Sequence, residues 1–170
     1  MYNLTDLANR CLQVGQQFAS NYGNEFGTEH VLYGLAKVDS KAKSLLNAFK
    51  VSADVIKQVL DNVSGNIPSS TVEITPRTRE LLMIAGSIAK RTHSAYISPE
   101  HLLVALLSQE DSFAINILAG ALKLNVFEMR NRAIMIIASN KPERDFEDEG
   151  LVAVGNLSGS RKKPKQEFYK

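Results

Sequence analysis

The sequence predicts an all-α domain built from two similar four-helix halves packed into one compact eight-helix unit. Three observations carry that prediction. Through roughly the first 140 residues the apolar positions recur at three- and four-residue steps, the period of one helix face. No stretch of useful length alternates with the period of two that a half-buried strand shows. And a set of landmarks occurs twice in the same order, at offsets that drift from 70 to 73 residues.

The elements follow in order. Thr5 is placed to cap a first helix, whose stripe is Leu7, Ala8, Cys11, Leu12, Gly15, Phe18 and Ala19. "SNYGNEFG" breaks the period with two glycines. Val31, Leu32 and Leu35 mark a short second helix, and Ala42, Leu45, Leu46 and Phe49 a third. Ser52 can cap a fourth, carrying Val55, Ile56, Val59, Leu60 and Val63. "SGNIPSSTVEI" reads as a connector. The series then restarts with Thr75 before Pro76, a capping hydroxyl followed by proline at the first helical position. Leu81, Leu82, Ala85, Ile88 and Ala89 form that helix's stripe, and "RTHSAYIS" breaks it. Leu102, Leu103, Leu106 and Leu107 give the next helix, and Ala114, Ile117, Leu118 and Ala121 another. Asn125 with Glu128 resembles a capping box ahead of Met129, Ala133, Ile136 and Ile137.

In the duplication Thr5 corresponds to Thr75, Leu12 to Leu82, Ala19 to Ala89, Glu29 to Glu100, Leu35 to Leu106, Leu45 to Leu118 and Val51 to Leu124. The added residues are expected in loops, as repeated structure predicts. One four-helix unit this small leaves much apolar surface wet, and two units face to face bury it. Repeat one is placed at about residues 4–63, repeat two at about 75–138, and the domain at 1–139. Residues 140–170 lose the helical period and read as a polar linker or tail, separable from the core.

Composition narrows the function. Hydrophobic residues make up 44% of the chain, enough for a core, and no apolar run approaches the ~20 residues of a membrane span. The N-terminus lacks a basic region followed by an apolar stretch, so no secretory signal is read. A single cysteine, Cys11, excludes an internal disulfide and a multi-cysteine zinc site, and a cytoplasmic setting fits. The net charge of +2 is too small to argue for nucleic acid. The basic "SRKKPK", with Phe168 and Tyr169 behind it, could meet phosphates, but it carries little aromatic interleaving and is read as a solvated linker.

The repeated Glu-His pairs, "TEH" at Thr28–His30 and "PEH" at Pro99–His101, have four competing readings. The glutamates can simply favour the positive end of a helix, by a few tenths to about 1 kcal/mol. Gly27 or Thr28, and Ser98, would then supply the caps. The histidines fit as partly buried packing residues, each with one ring nitrogen hydrogen-bonded. Metal binding fails on spacing: each helix has one histidine, not two at i and i+4, and His93 lies in a loop. Catalysis lacks a nucleophile with a base, since Cys11 lies within an apolar stripe, and no G-x-S-x-G or G-x-x-x-x-G-K-[ST] occurs. No catalytic residue, metal or cofactor is therefore expected, nor ATP turnover by a phosphate loop. The fourth reading is recognition. An exposed carboxylate at a helix start can receive a guanidinium as a bidentate pair, and a neighbouring helix N-terminus can hold an anion.

"GTEHVLYGLA…SLLNAFKVSADVIKQVL" and "ITPRTRELLMIAGSIAKRTHSAYISPEHLLVALL" resemble the two Clp repeats of the N-terminal domain of ClpA/ClpC-type AAA+ unfoldases, closest to the ClpC type. The resemblance covers about residues 4–137. The second repeat has Ser98-Pro99 where the family usually has Gly-Thr, and Lys50 and Lys123 stand where it has glycine after the third helix of each repeat. The resemblance implies a domain that docks adaptor proteins and some substrates ahead of a hexameric ATPase ring serving a ClpP-type protease. It also implies recognition of phosphorylated arginine, with Glu29 and Glu100 on the guanidinium and Thr5 and Thr75 near the phosphate. An alternative is a free-standing Clp-repeat protein that attaches to a Clp protease complex. The polar tail favours a domain of a longer unfoldase.

Overall fold

The structure, a computed structural model, describes residues 3–139 apart from 64 and 66. The 140–170 linker and its "SRKKPK" run lie outside the described residues. The first half holds α1 (Asp6–Ala19), β1 (Glu25–Phe26), α2 (Thr28–Lys37), α3 (Lys41–Ala48) and α4 (Ala53–Val63). The second holds β2 (Glu73–Ile74), α5 (Pro76–Arg91), α6 (Pro99–Leu107), α7 (Phe113–Ile115) running on as a π-helix over Asn116–Ala121, and α8 (Val126–Ser139). The expected all-α class and twofold repeat are found, with one addition. The two-residue strands β1 and β2 pair in parallel, Glu25 with Glu73 and Phe26 with Ile74. Two residues are too short to show a period in sequence.

The helix starts are where side-chain chemistry puts them. Thr5, Ser52, Thr75, Ser98 and Asn125 each accept a first-turn backbone N–H at 3.0–3.3 Å. Ser40 and Ser112 do the same for α3 and α7, at 3.2 Å. The central layer is α2 and α6, which the duplication relates. Every residue of α6 is buried, because its "PEHLLVALL" has no polar face to offer water. It lies against α5, α8, α3, α2 and α1.

Gly15 of α1 and Gly34 of α2 let these two helices touch backbone to backbone. A Cβ on Gly15 would strike the His30 carbonyl, and one on Gly34 the Cys11 carbonyl. The second half has Ala85 and Ala105 in those places, both buried.

Two expectations need correction. The residues added in the second repeat were expected in loops, but the last one falls inside the third helix. Ser40 and Ser112 cap at an offset of 72, and Val51 and Leu124 lie 73 apart. The extra residue is taken up by the π-helical run between them, the usual way a helix absorbs one insertion. Leu7, Val63 and Ala121, assigned to apolar stripes, are exposed, because each sits at a helix end or edge beyond the neighbouring half. Lys50 and Lys123 end the third helices as expected, in the left-handed backbone region, at φ 63° and 58°.

Candidate functional site

The four residues marked by sequence are brought together in pairs, and the pairs cross between the halves. Thr5 donates its backbone N–H to the Ile97 carbonyl at 2.9 Å, and Ile97 donates to Asn3 at 2.7 Å. That parallel bridge sets the start of α1 beside the start of α6, which carries Glu100. In the counterpart, Thr75 donates to the Phe26 carbonyl at 3.2 Å, and Glu73 donates to Asn24 at 2.8 Å. The start of α5 thereby lies beside the start of α2, which carries Glu29. Thr5 is thus grouped with Glu100, and Thr75 with Glu29.

The threonine hydroxyls are held. Thr5 Oγ1 accepts from Ala8 N–H at 3.0 Å. Thr75 Oγ1 accepts from Thr78 N–H at 3.1 Å and lies 2.8 Å from the Thr78 hydroxyl. The positive ends of α1 and α5 are therefore fixed, and an anion beside either would meet backbone N–H groups and the helix dipole.

The glutamates are less open than a free helix start would leave them, which corrects the expectation of exposed carboxylates. Glu100 is 8% exposed, and its charge reaches the Cys11 thiol of α1. The side chain of Glu29 is 13% exposed and folds back over Gly27, where a Cβ would collide with its carboxylate. Glu100 reaches across to the first half, and the α2 start is held to the second half through Thr28, while the Glu29 side chain is covered by its own turn, Gly27 and His30. Burial raises the Glu29 carboxyl above its usual range, its own backbone hydrogen bond pulls it down, and Glu25 pushes it up again. A carboxylate already stripped of part of its water binds a guanidinium more strongly than a fully solvated one does.

The histidines are packing residues, as read. His30 Nδ1 accepts from Gly27 N–H at 2.9 Å, and its ring lies edge-on to Phe18 and over Tyr22. Gly27 has no side chain to cap α2, so only the reciprocal half of a capping box is present there, the His30 ring on the Gly27 N–H, and Thr28 Oγ1 accepts from Ala114 N–H of the other half at 3.2 Å. His101 Nδ1 accepts from Ser98 N–H at 3.0 Å, and its Nε2 faces Thr92 Oγ1 at 3.2 Å. Burial holds both imidazoles down to about 4, so they are neutral at pH 7. The 3.8 Å between His30 Nε2 and Glu29 is accordingly not an ion pair at that pH. Cys11 is fully buried, and burial first, then Glu100, pushes its thiol up to about 12, far from a nucleophile's range. Among the described residues no group of three or more His, Cys, Asp or Glu could hold a metal, and no helix is long and apolar enough to cross a membrane.

Sequence reasoning missed several neighbours of these pairs. Arg77 stands one turn-position inside α5, with its guanidinium 3.1 Å from Glu80. Gln109 reaches back from the end of α6 to donate to the Arg77 carbonyl at 2.8 Å and to Glu80 at 3.1 Å. Glu25 and Glu73 are register partners beside the α5 start. The "TPRT" run signalled Arg77 and Thr78; nothing in the sequence signalled Gln109.

The pattern that defines the Clp repeat (R) N-terminal domain matches this chain over residues 3–121 and again over 73–148. Among curated proteins the chain is similar to the ATP-dependent Clp protease ATP-binding subunit ClpC of Staphylococcus aureus, 29% identical over 145 residues. That match covers 82% of this chain and 17% of the relative, so the chain spans under a fifth of the relative's length. Among solved structures, the N-terminal domain of the chaperone ClpD from Arabidopsis thaliana superposes with a TM-score of 0.64 at 20% identity, covering 79% of this chain and 97% of that one. A ClpV N-domain in complex with a VipB peptide superposes at 0.59 and 19% identity, over 80% and 88% of the two chains.

Proposed function

The chain belongs to the Clp repeat N-terminal domain family, and from that premise we propose that it is a non-catalytic recognition domain that receives adaptor proteins and protein substrates for an ATP-dependent Clp unfoldase. The observation that carries the reading is the pair of crossed helix starts. Each sets a partly desolvated carboxylate beside a capped helix N-terminus, a combination suited to a ligand with a guanidinium at one end and an anion at the other. Phosphoarginine on a marked protein has that form. Glu29 and Glu100 would take the guanidinium, and the helix starts at Thr75 and Thr5 the phosphate.

The similar ClpV N-domain is recorded with a bound peptide, which supports a binding role for the fold. ATP turnover and the hexameric ring belong, on this reading, to a longer cytoplasmic protein of which this chain corresponds to the front, and a ClpP-type protease is that protein's partner. The domain boundary is set at 139, with repeats at about 4–63 and 75–138 and a linker or tail at 140–170.

The test is calorimetric titration of phosphoarginine, and of a phosphoarginine-bearing protein, into the wild-type chain and a Glu29→Gln, Glu100→Gln variant, with melting curves for both. Saturable binding by the wild type and its loss in a folded variant is the expected result. Absence of binding to the wild type would reject phosphoarginine and leave adaptor docking.

A further inference from the structure

The duplication sets α8 against α4 at an offset of 73: Ser52 and Asn125 cap them, and Ile56 and Met129 are buried in corresponding places. Their outer faces do not match. Along α4 the exposed positions include Asp54, Gln58, Asp61 and Asn62, the polar face expected of a surface helix. In the same four places α8 has Phe127, Asn131, Ile134 and Met135, and Phe127 and Met135 are 66% and 67% exposed. An apolar stripe in one copy, where its duplicate is polar, marks an interaction face.

The rim of this stripe is basic. Arg132 lies over the Phe49 ring, 5.1 Å from its centroid, which brings it to the end of α3, where Lys50 is exposed. Arg130 Nε is buried and finds no acceptor among the described residues. Among those residues no carboxylate is ion-paired with either arginine, and the one acidic residue of α8 is Glu128. A second copy of the same face would set these cations against their own kind. The complementary cover carries carboxylates and apolar side chains together.

Such a segment follows α8 in the chain. "ERDFEDEGLVAV", residues 143–154, holds five carboxylates against one guanidinium, together with Phe146, Leu151, Val152 and Val154. From Ser139 back to Phe127 the helix is about 18 Å long, a length that 143–154 can span as extended chain. So short a tether holds the segment near the face at an effective concentration in the millimolar range. We infer that residues 143–154 dock on the outer face of α8, with carboxylates toward Arg130, Arg132 and Lys50 and apolar side chains over Phe127, Ile134 and Met135. The contact lies outside the core, so the domain stays folded when the segment is displaced.

The experiment is paramagnetic relaxation on the full chain with a nitroxide on Gly150→Cys; Cys11 is fully buried and takes no label. Amide signals of Phe127, Asn131 and Ile134 should broaden, and those of Asp54, Gln58 and Asp61 on α4 should not. Glu147→Lys, Asp148→Lys and Glu149→Lys together leave the tether length and the core unchanged, and should restore most of the α8 signal. Adding Arg132→Glu to that chain should bring part of the broadening back, with melting curves to check the fold. Broadening that is absent from α8, confined to its last turn, or unchanged by the reversed charges would overturn the inference, as would no return of broadening in a folded Arg132→Glu combination. Broadening that passes between labelled and unlabelled molecules would overturn it too, and assign the face to a second copy.

Discussion

Thr75 hangs from Phe26: its backbone N–H donates to the Phe26 carbonyl at 3.2 Å, so a helix start in the second half is held by the loop before a helix start in the first. Thr5 and Ile97 repeat the arrangement with the halves exchanged, at 2.9 Å. The halves are therefore interlocked, each supplying a loop that finishes the other. Neither half alone has the carbonyl that receives its Thr5 or Thr75 N–H, and each leaves one side of its central helix uncovered.

Fragments spanning residues 3–68 and 69–139 should each lack a cooperative melt, because each leaves α2 or α6 with one apolar side in water. Circular dichroism of the separate fragments checks this. Two independent sharp transitions would show that the repeats are autonomous.

The contact of α1 with α2 depends on its glycines. Gly15→Ala or Gly34→Ala drives a methyl into a backbone carbonyl that cannot swing aside, and overpacking of this kind costs about 1–3 kcal/mol. The reverse change in the second half, Ala85→Gly, should cost about 1 kcal/mol from helix propensity. Denaturant midpoints compare them, and an unchanged midpoint for Gly34→Ala would show that the helices are farther apart.

Lys50 and Lys123 hold left-handed backbone where a Cβ is disfavoured. Behind Lys50 the chain closes with a hydrogen bond from Val51 to Leu46 at 2.8 Å, the six-to-one bond of a glycine-type helix end. Lys50→Gly and Lys123→Gly should each stabilise the domain by up to about 1 kcal/mol. A lowered melting temperature in either would indicate that the lysine side chain does something its backbone strain conceals.

Acid should destabilise the fold through its histidines. Burial holds His30 and His101 to about 4 against 6.5 in an open chain, so between those values the unfolded chain takes up protons that the folded chain refuses. Stability is full above 6.5 and is lost as pH falls toward 4, by on the order of 3 kcal/mol per histidine. Glu29, whose carboxyl is raised, acts in the opposite sense and regains a part as it protonates. His101→Asn keeps an acceptor for Ser98 and removes one titration, so its melting temperature should depend less steeply on pH. An equal slope would assign the acid sensitivity elsewhere.

Much of this was legible in sequence for a physical reason. Helical period, capping hydroxyls and the duplicated order are local signals, and Thr5, Ser52, Thr75 and Asn125 act where they were read. The crossing of the starts was not legible, because it rests on backbone bonds between residues about fifty to ninety apart that leave no periodic trace. The same gap explains Glu100, which looks exposed from its place in a helix and reaches Cys11 of the other half, whereas Glu29 folds back over Gly27 beside His30 of its own half. Gln109 reads as a loop residue after an apolar run, and only the fold shows it beneath Arg77.

The most direct test of recognition at the crossed starts is amide chemical-shift mapping of the labelled chain during titration with phosphoarginine. The largest shifts should fall on the two crossings, Thr75–Thr78 with Thr28–His30 and Thr5–Ala8 with Pro99–His101. Saturable shifts centred instead on the exposed Phe127, Ile134 and Met135 of α8, with both crossings unmoved, would contradict it.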